Sequence, residues 1–320
     1  RSSLLALYDE FLENVIAGIK TAKTKDYQYL PSREPQLLEF TAEQTIVLDA
    51  REYTPQGESS VAIRLQKLYE SGARKFIIAH SRGHRFIGNG LGAGTSDVKI
   101  DVYGSPGDYL GSGLDGVELY VHNNGQDQLA QIMKEGKLVI YGDVGQTFMY
   151  GAKGGEAYVM GNAAGRPLIN AVGSPRVVIN GTCLDYLAES FMAGDPLDGG
   201  GFVVLNGLAF NEANAIVDLD SPYPGSNLFS LASGGAIYVR DPHRKLTQDQ
   251  LNGGRFVPMK DADWQLIEPY LQENARLFGI PVERLLTVNE EILAPENIYR
   301  KISPVKVRAL QAEEAWVVQE

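Results

Sequence analysis

Six stretches of the chain share one pattern: Lys99-Ile100-Asp101-Val102-Tyr103, Glu118-Leu119-Tyr120-Val121-His122, Lys137-Leu138-Val139-Ile140-Tyr141, Glu156-Ala157-Tyr158-Val159-Met160, Arg176-Val177-Val178-Ile179-Asn180 and Phe202-Val203-Val204-Leu205-Asn206. The residues that follow are Gly104, Asn123, Gly142, Gly161, Gly181 and Gly207, at intervals of 19, 19, 19, 20 and 26. Each stretch has the period of a short strand, and its second and fourth positions are apolar in all six. Columns of that kind arise when successive strands lie parallel and in register, roughly 4.8 Å apart, over one interior. The first position supports the same register, because Lys99, Glu118, Lys137, Glu156 and Arg176 alternate in sign. Such pairs are worth about 0.2–1 kcal/mol each, so the alternation reports register more than stability.

One residue beyond each marker stand Ser105, Asn124, Asp143, Asn162 and Thr182, short polar side chains suited to bonding turn backbone. The marker glycines themselves suit a corner. Glycine is 35 of 320 residues, above the usual share of about 7%, and the repeat places much of the excess at corners. A 19-residue period fits neither six- nor nine-residue coils, and leucine-rich and helical repeats have other spacings. The pattern predicts a mainly β chain forming a single-stranded parallel β-helix of about 19 residues per coil. With Phe76 to His80 and Ile237 to Asp241 as irregular end coils, it has eight rungs and a length of roughly 35 Å.

The ends read differently. Leu4, Leu5, Leu7, Phe11, Leu12, Val15, Ile16 and Ile19 recur at helical spacing, so residues 1–45 form a helical extension whose stripe either closes the domain or docks on another subunit. Residues 46–75 form a β-α-β cap together with Phe76-Ile77-Ile78-Ala79: the strand Thr45 to Ala50, then a helix within Ser59 to Ser71 stopped by Gly72. The β-helix domain spans 76–241, and 242–320 is a second helical extension, with a helix from Asp263 to Phe278, a tail at Ile302-Ser303-Pro304-Val305 and a last helical piece. The terminal helices and the β-α-β unit are expected to cap the open ends of the rod.

A net charge of −11 and an isoelectric point near 5.0 speak against nucleic-acid or anionic-membrane binding. Apolar runs such as Phe202 to Leu205 are far too short to span a bilayer. No signal peptide is visible, and Cys183 is the single cysteine, so a reducing, cytoplasmic setting is expected. Candidate chemistry is sparse. Gly88-Asn89-Gly90-Leu91-Gly92 follows a strand but opens no helix, which favours close packing at coil corners over a phosphate loop. Cys183 could act as a nucleophile with His122 or His80 as base, although its position after a corner suits a small buried residue better. Ser190 and Ser233 lack a nucleophile elbow, and His80, His84, His122 and His243 are not spaced as a local metal set. His80-Ser81-Arg82-Gly83-His84-Arg85 is a compact basic cluster that either meets an acidic partner or ligand or is a solvated edge. No catalytic, cofactor-binding or metal-binding residue is assigned.

The run from Leu48-Asp49-Ala50-Arg51 through Gly83-His84-Arg85-Phe86-Ile87-Gly88-Asn89-Gly90-Leu91, Gly107-Asp108-Tyr109-Leu110-Gly111-Ser112-Gly113-Leu114, Gly136-Lys137, Gly142-Asp143-Val144-Gly145 and Gly151-Ala152-Lys153-Gly154-Gly155 resembles the GXGXG domain, over roughly Ile46 to Asp241. That family comprises the C-terminal domain of the glutamate synthase large subunit and free-standing glutamate synthase subunits, and is related to the C polypeptide of formylmethanofuran dehydrogenase. The resemblance implies a right-handed β-helix and a noncatalytic scaffold role in a glutamate synthase-like redox or amidotransfer complex. It places FMN and iron–sulfur clusters in partner subunits, flavin and iron–sulfur synthase-like and amidotransferase, rather than in this chain. A scaffold like that C polypeptide, in a formylmethanofuran dehydrogenase or formyltransferase/hydrolase complex, is the alternative, and an independent hydrolase a third. Both terminal extensions exceed the minimal free-standing domain, so the partners need not be those of ordinary glutamate synthase.

Overall fold

In the computed structural model, which describes residues 2–22, 24–32, 40–213 and 215–305, the alternating charges pair as their column predicts. Lys99 lies opposite Glu118, Glu118 opposite Lys137, Lys137 opposite Glu156 and Glu156 opposite Arg176. The elements, in chain order, are α1 (Ser2–Thr21), β1 (Tyr27–Tyr29), β2 (Thr45–Asp49), α2 (Val61–Glu70), β3 (Lys75–Arg82), β4 (Lys99–Ser105), β5 (Asp115–Val121), β6 (Glu135–Ile140), β7 (Glu156–Val159), β8 (Arg176–Ile179) and β9 (Phe202–Leu205). The hairpin β10 (Leu208–Phe210) and β11 (Ile216–Asp218) precedes β12 (Ala236–Arg240) and β13 (Gly254–Val257). Then come α3 (Asp261–Phe278), α4 (Val282–Leu286), β14 (Thr287–Val288), β15 (Glu291–Ile292), α5 (Pro295–Ile298) and β16 (Tyr299–Pro304).

The fold is mainly β. One twelve-stranded sheet runs β1 to β9 in chain order, then β12, β16 and β13. The pairs from β1 to β12 are parallel and the last two antiparallel. The strand Thr45–Asp49 belongs to this sheet, with Ile46 opposite Phe76 and Leu48 opposite Ile78, so the stack continues beyond the repeat. The 26-residue interval that ends at Gly207 contains a turn at Pro196–Asp198, and beyond it the β10–β11 hairpin lengthens the connection from β9 to β12. Both apolar columns face one core. Ile100, Leu119, Leu138, Ala157, Val177 and Val203, and likewise Val102, Val121, Ile140, Val159, Ile179 and Leu205, are fully buried in it.

Of the corner glycines, Gly104 and Gly207 have the left-handed backbone that suits a corner. Gly142 and Gly161 do not have the left-handed backbone; what they provide is room. A methyl group on Gly161 would fall on Asp143 Oδ1, and one on Gly142 on Asn124 Oδ1. That space lets each polar side chain reach the next coil. Asn124 Oδ1 accepts from Asp143 N at 2.9 Å, Asp143 Oδ1 from Asn162 N at 2.7 Å, and Asn162 Oδ1 from Thr182 N at 2.9 Å.

The segments that connect successive strands carry left-handed residues at every second position. Phe86, Gly88 and Gly90 start a series continued by Tyr109, Gly111 and Gly113, Gln128, Ala130 and Ile132, Thr147, Met149 and Gly151, Arg166, Leu168 and Asn170, and Tyr186, Ala188 and Ser190. A non-glycine left-handed residue costs about 1–2 kcal/mol in isolation, and here the peptide groups are compensated by bonds to both neighbours. Gln128 N donates forward to Gln146 O at 2.8 Å, Ala130 N donates back to Leu110 O at 2.8 Å, and Ile132 N donates forward to Tyr150 O at 2.8 Å.

The terminal helices do not cap the ends; they lie on the outer face of the sheet. The reason is the third strand position, which the repeat leaves variable but which reads Val139, Tyr158, Val178, Val204 and Tyr238 in the later strands and needs cover. Ile267 and Leu271 of α3 bury against these residues. On the earlier strands Leu12 and Ile16 of α1 bury against Val47 and Ala79. The α1 stripe is therefore split, with Leu7 and Phe11 more than 60% exposed. The tail is also not simply helical: Tyr299–Pro304 is a strand antiparallel to β12 and β13, placing Ile302 opposite both Ile237 and Phe256. The last helical piece lies outside the described residues.

Candidate functional site

The basic cluster at the end of β3 brings several titratable groups together. A register shift between Ile78 and Ser81 puts His80 in a left-handed conformation (φ 55°) inside the strand. Asp49, which ends β2, pairs with Ala79 and so reaches the neighbouring ring: His80 Nδ1 lies 3.2 Å from Asp49 Oδ1. Asp49 also accepts from Arg51 N at 3.1 Å and Arg51 Nη2 at 2.6 Å. Burial raises the pKa of the Asp49 carboxyl, but the Arg51 donors outweigh it and hold the group below its usual value. Arg51 also pairs with Glu13 of α1, whose Oε1 lies 3.5 Å from His80 Nε2.

This Asp–His pair resembles a catalytic dyad in its inner half, since a buried carboxylate orients the imidazole. Its outer half is closed, because Nε2 is buried and faces Glu13 of α1. The arrangement anchors α1 to the sheet. The rest of the cluster disperses. His84 is buried, accepts from Arg82 N at 3.0 Å, and is kept below the usual histidine pKa by desolvation. Arg82 is 83% exposed, and Arg85 lies against the rings of Phe86 and Tyr109 and pairs with Asp108 at 3.3 Å.

The other candidates are not brought together. His122 binds Asp101 at 2.9 Å and is stacked between Tyr103 and Tyr141 on the outer face. Cys183 is fully buried in the core, bridged to Ala163, and burial pushes its thiol pKa far up, away from the nucleophilic thiolate. Ser190 is a left-handed corner residue whose N–H donates to Ser230 O at 2.7 Å. Ser233 lines a hollow of about 400 Å³ with Arg255 and Lys301 and no histidine. His243 is exposed. Among the described residues no group of three or more His, Cys, Asp or Glu side chains is placed to hold a metal ion, and no helix is long and apolar enough to cross a membrane.

Gly88, Gly90 and Gly92 all have the left-handed conformation, as do Gly111 and Gly113 one coil on. The glycine motif is thus the first appearance of the alternating corner, and conformation rather than close packing explains Gly88, whose added methyl would meet nothing nearer than 3.6 Å. The model of the GXGXG motif family matches residues 71–294. The chain belongs to that family. A relative by sequence is the uncharacterized protein MJ1350 of Methanocaldococcus jannaschii, 29% identical over 240 residues that cover 73% of this chain and 83% of the relative. Later corners keep the alternating geometry with Gln, Ala, Ile, Thr, Met, Arg and Leu among the residues in those places.

Sequence reasoning missed the Asp49–His80 pair. The signal was available: aligning Thr45 to Asp49 with Lys75 to Ala79 as one more coil sets Asp49 beside His80.

Proposed function

We propose that this chain is a noncatalytic scaffold subunit of a glutamate synthase-like redox or amidotransfer complex, with its coils forming a single-stranded right-handed parallel β-helix. Membership of the GXGXG motif family carries the reading. Support comes from the chemistry of the chain: the cysteine is buried and protonated, the two carboxylate-paired histidines are covered or stacked, and these groups serve packing. FMN and iron–sulfur clusters belong to the partner subunits, in a hetero-oligomer in the cytoplasm. Native affinity purification of the full chain followed by mass spectrometry tests this. Flavin and iron–sulfur synthase-like subunits in stoichiometric amount are expected. Stoichiometric molybdenum- or tungsten-containing or amidohydrolase-like subunits would instead establish the formylmethanofuran dehydrogenase-type assembly, and a solitary, catalytically active chain would refute both.

A further inference from the structure

We propose that the corner between β2 and α2 binds a small oxyanion, held by the Arg64 guanidinium and the Tyr53 hydroxyl. Arg64 stands one turn into α2, on the face that carries Val61, Leu65 and Leu68 into the core, and it is 8% exposed. Its Nε has no hydrogen-bond partner, and among the described residues no carboxylate lies within ion-pair distance of it. The acids that act on Tyr53 are committed: Asp49 to Arg51 and His80, and Glu52 to Tyr29 and Ser32.

The Tyr53 hydroxyl is also buried without a partner. It lies against Arg64, whose charge and side-chain hydrogen-bonding contact oppose the burial that raises its pKa to about 12, a contact too poorly aligned to satisfy either group. His84 beside it is no source of compensating charge, being held toward its neutral form by burial. A buried cation without a counterion is costly, and both the Nε–H and the hydroxyl lack a well-aligned partner. An oxygen anion accepting from Nε–H and from the hydroxyl satisfies both. Inorganic phosphate and a free carboxylate share this chemistry.

The site stands independently of the scaffold role. Isothermal titration of the full chain in oxyanion-free buffer, with inorganic phosphate in one arm and acetate in the other, tests it and separates the two sources. Saturable one-to-one binding is expected in at least one arm, lost in Arg64→Met and weakened about tenfold in Tyr53→Phe, a conservative change that settles the matter if Arg64→Met does not fold. No saturable binding of either anion to the native chain would overturn the proposal, as would binding unchanged in either folded variant.

Discussion

Asn180 and Asn274, 94 positions apart, exchange two side-chain hydrogen bonds at 2.8 and 2.9 Å with both side chains fully buried. The pair ties α3 to the end of β8, and it is extended by Asn206, which donates to Asn180 Oδ1, and by Tyr299, which donates to Asn206 Oδ1, each at 2.9 Å. The network joins the sheet, the covering helix and the returning strand β16. Asn274→Ala is expected to cost about 2–4 kcal/mol in urea unfolding. A loss below about 0.5 kcal/mol would show that α3 is held by its apolar face alone.

Lys137 lies between Glu118 and Glu156 on adjacent strands, and its Nζ is 2.8 Å from Glu273 of α3. Lys137→Glu therefore gathers four carboxylates. We expect a loss of about 1–3 kcal/mol at low salt, shrinking as salt is added. Thermal unfolding unchanged at low salt would contradict both the register and the seating of α3.

Glu273 bonds Arg276 and Lys137, which hold its carboxyl pKa at about 2. A carboxyl depressed in the folded state stabilises above its unfolded value near 4.5, and that contribution disappears as the pH falls toward 2. Glu273→Gln is expected to flatten the stability curve across that window while lowering stability at neutral pH. Parallel curves for the variant and the native protein would show the ion cluster to be inert.

Gly161→Ala places a methyl group on Asp143 Oδ1 and should cost about 1–3 kcal/mol. Asp143→Ala removes the obstacle along with the bond to Asn162 N. The double variant is expected to lose at least about 0.5 kcal/mol less than the sum of the single losses. Strict additivity in denaturant unfolding would place the two residues out of contact.

Much of this architecture is legible in the sequence because in-register stacking writes itself into columns. The charges from Lys99 to Arg176 and the apolar pairs from Ile100 to Leu205 each need only a neighbour one period away. The left-handed corners are harder to read, since Met149, Arg166 and Leu168 adopt a conformation their side chains do not advertise. The long-range partners leave no periodic trace either: Asn274 meets Asn180, and Ile302 meets Ile237, through contacts set by packing of the outer face and not by local pattern. The Asp49–His80 pair falls between these cases, because it follows from one register that the cap reading set aside.

Glutamine-dependent glutamate formation by the purified assembly, compared between the native chain and its Cys183→Ala variant and with the isolated chain, tests the scaffold role most directly. Full turnover in both assemblies and none by the isolated chain is the expected result. Turnover by the isolated chain, or its loss from an intact Cys183→Ala assembly, would contradict it.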